Sequence, residues 1–210
     1  MLVQSFLRRL TYPESMLIRR QPIEKKLAPL SPKKETAQPP AEPADKFDST
    51  AFRQTVGQVA SGVAGVTTED QGGERSGMTV SSFPSLSLDP PLVLFCAKEG
   101  SHTLDEVKES GHFAVNVLSG HQKDACYGFA GKDEDKFKNV AVTPGPAHGD
   151  PLLDGSLATL ECRLESLADG GDHTIVIGRV DRFDQHSQEQ PLLFWDGKVH
   201  EDPGLERKSL

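Results

Sequence analysis

The chain has 210 residues, a formal charge of −8 and 26% charged residues, which is room for one sizeable domain with its own core. The charge is unevenly spread: residues 1–46 hold nine Lys or Arg, five Asp or Glu and seven of the fifteen prolines, and the remainder holds fourteen basic and twenty-six acidic residues. An acidic folded part argues against nucleic acid as a partner, because phosphate backbones are bound by clusters of Lys and Arg, and no apolar run is long enough to place the chain in a membrane as a spanning helix.

The composition shift divides the chain into a basic, Pro-rich leader (1–46), a folded domain (47–203) and a short tail (204–210). The leader has paired arginines at Arg8-Arg9 and Arg19-Arg20 but no apolar signal core, and reads as a disordered or partner-contacting arm. Cys96, Cys126 and Cys162 are odd in number and widely spaced. They fit neither a disulfide framework nor a structural zinc, and a reducing cytoplasm is the expected setting.

Along the folded part, Asp48-Ser49-Thr50 supplies N-cap groups for a helix reaching about Ala60, with Phe52, Val56 and Val59 at helical spacing. Val63 to Thr68 and Arg75 to Phe83 read as a hairpin around Asp70-Gln71-Gly72-Gly73, and Leu92 to Ala97 as a strand apolar enough to be buried on both faces. A helix over Thr103 to Glu109 and a strand over Phe113 to Leu118 follow. Short helices are expected at Gln122 to Phe129 and Glu134 to Lys138. Leu157 to Glu165 alternates and pairs through Asp169-Gly170-Gly171 with His173 to Phe183. Leu192 to Trp195 and Lys198 to His200 form a last hairpin about Asp196-Gly197. Six or more strands joined by short helices predict a mainly β protein, a closed or half-closed barrel with helical decorations.

The run Gly77-Met78-Thr79-Val80-Ser81-Ser82-Phe83 sets hydroxyls and backbone N–H groups between two strand signals, an arrangement suited to a polar, flat or anionic ligand. Thr103 and Glu106 fit a capping box; Ser101, Thr103 and the first N–H groups of the same helix also suit a phosphate, with Lys98 nearby. His173, at a strand mouth behind Gly170-Gly171-Asp172, ranks first among seven histidines for a catalytic or orienting role. No metal site is expected. Neither a G-x-G-x-x-G nor a Walker loop occurs, so a nicotinamide cofactor would not be held by a Rossmann fold.

Phe52-Arg53, Ser61-Gly62-Val63, Gly77 to Phe83, Ser87-Leu88-Asp89-Pro90-Pro91, Phe113 to Leu118, Phe129-Ala130, Asp135-Lys136-Phe137, Leu160-Glu161-Cys162 and Gly171-Asp172-His173-Thr174 stand in an order that resembles the flavin reductase-like family, from about Asp48 to Gly197. The resemblance implies an FMN-binding split β-barrel, usually a homodimer, that serves as the reductase component of a two-component flavin monooxygenase. It implies that Thr79, Val80, Ser81 and Ser82 lie along the FMN or FAD, that the stretch containing Ala97, Lys98, Ser101 and Thr103 takes the ribityl chain and phosphate, that Phe129 flanks the pocket, and that His173 lies near the nicotinamide of NADH or NADPH. One departure is that Gly197 leads to Lys198-Val199-His200, where the family often has an aromatic residue. The function so implied is NAD(P)H:flavin oxidoreduction feeding a monooxygenase. The alternatives are a non-catalytic flavin- or haem-binding barrel and an amine oxidase on the same fold; the latter would need a basic substrate-phosphate cluster that the sequence lacks beyond Lys98 and Arg179.

Overall fold

The computed structural model describes residues 47–131, 136–186 and 189–206. By its contacts the chain divides into two units, Met1–Asp48 and Ser49–Leu210, and of the first only Phe47 and Asp48 are described. The expected leader, the last residues of the tail and the start of the helix expected over 134–138 lie outside the described residues. Lys136 to Asn139 form a turn.

Helix α1 (Ser49–Val56) ends four residues before Ala60, and a two-residue strand β1 (Ser61–Gly62) follows. Strands β2 (Ala64–Glu69) and β3 (Arg75–Val80) form the expected antiparallel hairpin. Asp70 organises its turn, accepting the N–H of Gly72 at 2.8 Å and that of Glu74 at 2.7 Å on one carboxylate oxygen. Then come β4 (Ser85–Leu88), β5 (Pro91–Lys98), α2 (His102–Ser110) and β6 (His112–Val117). A 3₁₀ turn (Gly120–Gln122) enters α3 (Lys123–Ala130). Two three-residue strands, β7 (Val142–Pro144) and β8 (Pro151–Leu153), pair with each other. The long hairpin β9 (Ala158–Asp169) and β10 (His173–Gln185) follows, then β11 (Leu193–Trp195) and β12 (Lys198–His200). Asp196 at φ 49° and Gly197 at φ 72° supply the two positive-φ residues that a two-residue hairpin turn requires.

Seven strands make one antiparallel sheet in the order β3-β2-β6-β9-β10-β5-β4. In that order β3 and β5 stand five places apart, which in a flat sheet would separate them by roughly 24 Å at about 4.8 Å per strand. Ser82, just past β3, nonetheless accepts a hydrogen bond from the N–H of Cys96 on β5 at 2.9 Å. The sheet therefore curls back on itself into a split barrel. Its interior is a single apolar core to which Val80, Val66, Val115, Cys162, Val176 and Phe95 contribute from six different strands. Leu104 and Val107 of α2 close one end of it. The ladder shifts register at Ile177/Gly178, where Glu165 of β9 is the extra residue of a bulge. Gly178 sits there because a Cβ would lie 2.3 Å from the ring of Phe113, which packs edge-on against Phe95 at 5.3 Å.

Strand β5 corrects one expectation. It is not buried on both faces: Val93, Phe95 and Ala97 point into the core, and Leu92, Leu94 and Cys96 remain half-exposed. An antiparallel strand needs only one covered face, and among the described residues no helix packs over the outside of β5.

The three cysteines are free thiols. Burial pushes the Cys162 thiol up to about 12, with the carboxylates of Asp181, Asp150 and Glu161 adding to the effect. Burial likewise raises the Cys126 thiol. Since the thiolate is the reactive form, iodoacetamide at pH 8 is expected to leave Cys162 and Cys126 unmodified in the native protein and to label both in denaturant. Peptide mass spectrometry checks this; rapid native labelling of Cys162 would contradict its placement in the core.

Candidate active site

A groove of about 720 Å³ opens between β3, the end of β5, the start of α2 and the end of α3. Thr79, Val80, Ala97, Lys98, Ser101, Thr103, Phe129 and His173 all line it. The curled sheet brings them together, since β3 and β5 meet only where the barrel is split. Ser81 and Ser82 instead line a separate hollow of about 580 Å³ beside Val56, Val59 and Phe194.

The hydroxyls of the run are largely committed to the protein itself. Thr79 donates to the Cys126 carbonyl of α3 at 2.7 Å, and the Ser82 oxygen accepts from the Cys96 N–H. What β3 offers a ligand is its backbone: it pairs with β2 on one side only, so its other edge presents N–H and C=O groups without a strand partner, of which the Gly77 carbonyl accepts from Lys136.

At the start of α2 the cap is Ser101, two residues earlier than the Thr103–Glu106 box expected. Ser101 is extended (φ −80°, ψ 132°) and accepts the Leu104 N–H at 3.2 Å. Gly100, at φ 71°, turns the chain into this position, and Thr103 is carried into the buried first turn. The N–H groups of His102 and Thr103, in the first turn, have no acceptor within the helix and carry its positive dipole end. His102 is anchored by Ser76 of β3, whose Oγ lies 3.0 Å from its Nδ1.

His173 stands opposite Lys98 in the β10–β5 register. Its Nδ1 pairs with Asp172 Oδ1 at 2.8 Å, and the hydrogen bond and charge of the imidazole hold the Asp172 carboxyl below its ordinary value. The Asp172 carbonyl accepts the Glu99 N–H at 3.1 Å, and the Thr174 hydroxyl donates to the Glu99 carboxylate. These ties fix the turn from which His173 faces the groove.

Two further residues of the groove, Gly77 and Lys136, stand in segments that carry the family resemblance but had no site role assigned to them. Gly77 lies where a Cβ would fall 2.3 Å from the Phe129 ring. Lys136 donates to the carbonyls of Gly77 at 2.9 Å and Phe129 at 3.3 Å, and burial pulls its ammonium below the ordinary lysine value. A glycine inside a β-prone run was the signal for the first; for Lys136 it was its place in Asp135-Lys136-Phe137, one of the segments that carry the family resemblance. Lys98 and Lys136 line the groove together with Glu74 and with Arg75, whose charge Glu69 meets at 2.9 Å, so in a protein of charge −8 the lining itself holds more basic than acidic residues. Among the described residues no cluster suits a metal ion.

Residues 56–201 match the family model described as flavin reductase like domain. The chain belongs to the flavin reductase-like family. This family member is 43% identical over 155 residues to the flavin-dependent monooxygenase, reductase subunit HsaB, of Rhodococcus jostii, covering 74% of this chain and 78% of that one. It is 42% identical over 151 residues to a flavin reductase of Pseudomonas putida, covering 72% and 88% of the two chains. The solved NADH:FAD oxidoreductase SgcE6 of Streptomyces globisporus, in complex with NAD and FAD fragments, superposes with a TM-score of 0.70 at 36% identity over 76% of this chain and 96% of that one.

Proposed function

We propose that the groove seats a flavin, with its phosphate end at the start of α2 and its ring along the open edge of β3, and that His173 orients the nicotinamide. The chain is an NAD(P)H:flavin oxidoreductase, and its acceptor is a monooxygenase that consumes reduced FMN or FAD, as the relatives named reductase subunits of such enzymes support. The observation that carries the site is the mainly basic lining set against a helix amino terminus in an otherwise acidic protein. Anions favour such a terminus, and the unpaired edge of β3 offers donors to a flat heterocycle, so the residues present fit a flavin mononucleotide or dinucleotide.

The bound pair supplies the chemistry, transfer of a hydride from nicotinamide C4 to flavin N5. The protein's own share is alignment and charge. The wall of β3 holds one face in register, and the amino end of α2 with Lys98 faces the phosphate. Lys98 also brings positive charge to the mouth, which suits the phosphates of both ligands. A groove open to solvent allows a reduced product to leave.

The test is nicotinamide oxidation by the purified protein with NADH or NADPH, each with FMN or FAD, followed by loss of the nicotinamide absorbance. No flavin-dependent oxidation with either donor overturns the reading. His173→Ala is expected to raise the KM for NAD(P)H about tenfold, the worth of roughly one good hydrogen bond, and to leave the KM for flavin within twofold; an unchanged nicotinamide KM would remove His173 from the site.

The protein works as a homodimer in this proposal. Helix α1 buries none of its residues, Val56, Val59 and Trp195 are exposed, and the hollow at α1 is apolar enough to receive a second copy. A monomer mass by light scattering would exclude it. A cytoplasmic location is supported by the three free thiols; no helix among the described residues is long and apolar enough to cross a membrane.

A further inference from the structure

We propose that Lys136 is a flavin-phosphate ligand, its ammonium presented by two backbone carbonyls toward the anion seated at the start of α2. The inference rests on the flavin-reductase reading of the groove and adds to it a residue from outside the β3 and α2 walls.

The geometry comes from consecutive residues of one strand. Gly77 accepts from Lys136 Nζ at 2.9 Å, and its neighbour Ser76 meets His102, the first residue of α2, at 3.0 Å. The amino end of α2 and the Lys136 ammonium thus flank the same stretch of β3, and both line the same groove. An ammonium has three N–H donors. Two are taken by Gly77 and Phe129, which fix its position, and one is left for a ligand.

The charge is the second part of the argument. No carboxylate lies within ion-pair distance of Lys136 among the described residues, whereas Arg75 in the same groove is paired with Glu69 at 2.9 Å. Lys136 is also partly withdrawn from water, which disfavours its charged form. Among the described residues the cation is unneutralised, and a desolvated charge is costly unless something anionic completes it. Holding two carbonyls together does not need a formal charge, whereas a charge strengthens a hydrogen bond to phosphate about twofold over a neutral one.

The experiment measures equilibrium dissociation constants by quenching of flavin fluorescence, for riboflavin, FMN and FAD, with the wild type, Lys136→Met and Lys136→Gln. Riboflavin has the same ring and ribityl chain but no phosphate. Loss of one charge-assisted hydrogen bond is expected to weaken FMN and FAD about tenfold or more and to leave riboflavin within twofold. Added salt is expected to weaken FMN binding more in the wild type than in either variant. An equal loss for all three flavins, or no loss for any, overturns the proposal and leaves Lys136 as a pin between β3 and α3. Lys136→Gln retains an amide donor for the carbonyls, so it separates charge from folding if Lys136→Met proves unstable. Nicotinamide oxidation by the wild type is scored separately, so a failure of the reductase reading is distinguishable from a failure of this assignment.

Discussion

Gly77→Ala is expected to lower the melting temperature by about 2–12 °C and to weaken flavin binding, although it adds a single methyl group. The new Cβ would stand 2.3 and 2.4 Å from the Cε1 and Cδ1 atoms of Phe129 and 3.4 Å from Phe137 Cζ. Phe129 is fully buried and packs edge-on against Phe137 at 4.9 Å, so the ring has nowhere to go. The strand must move instead. Overpacking of this kind costs about 1–3 kcal/mol, and in a domain of this size each kcal/mol lowers the melting point by about 2–4 °C. Because β3 has no partner strand on the groove side, it can shift without unfolding, and the shift pulls Gly77 away from Lys136 and disturbs the floor of the groove. Thermal unfolding by circular dichroism and flavin titration measure the two effects. Phe129→Leu made together with Gly77→Ala is expected to recover part of the loss, because neighbours that share one volume are not additive. A full sum of the two single costs would mean that the clash is not the cause.

The hairpins were readable because their turns have unambiguous chemistry. Asp70 with Gly72 and Gly73, Asp169 with Gly170 and Gly171, and Asp196-Gly197 each close a reversal that the β-prone flanks then extend. Strands β4, β7 and β8 escaped for the opposite reason. Ser85 to Leu88 alternates over only four residues between Pro84 and Asp89-Pro90, and Leu88 is 80% exposed, so its pattern reports pairing to β5 and not a core face. In β7 and β8, three residues each with a proline at one end, no periodicity has room to develop. Of the ten residues that the flavin reductase-like resemblance places about a flavin and a nicotinamide, eight line one groove. Ser81 and Ser82 diverge because β3 ends at Val80 and the chain turns there toward β4; a strand reading that ran to Phe83 had no means of locating that corner. Lys136 was legible only as part of the Asp135-Lys136-Phe137 segment and not as a site residue. The role proposed for it arises from where Gly77 and Phe129 present their carbonyls, and long-range backbone geometry leaves no local trace.

Glu161→Ala is expected to be the most destabilising single change considered, about 3–5 kcal/mol, without altering the flavin affinity of the molecules that remain folded. Glu161 sits in the middle of β9 with 2% of its surface exposed. Its Oε2 accepts the N–H of Ala147 at 2.8 Å and that of His148 at 3.1 Å, and Arg182 Nε stands 3.9 Å from Oε1. A Cβ on Gly145 would lie 2.4 Å from the same Oε2, so the turn from Gly145 to Asp150 is wrapped around this carboxylate. Removing it leaves two backbone donors facing a cavity, at about 1–3 kcal/mol for each unsatisfied group, which places the sum in that range; Arg182 adds little, because it keeps Asp184 at 2.9 Å. The loosened turn also carries His148 and Asp150. The buried Asp150 carboxylate pairs with His112 at 2.9 Å and accepts the Glu69 N–H at 3.1 Å, so the end of β2 should loosen with it. Glu161→Gln retains an oxygen for the two amides and is expected to cost roughly half as much, as a neutral acceptor does relative to a charged one. Chemical denaturation gives the stabilities, and amide exchange at Ala147 and His148 localises the change. None of these residues lines the groove, so a large loss of flavin affinity in folded Glu161→Ala would show that the turn and the site are coupled, which the separate packing of the two argues against.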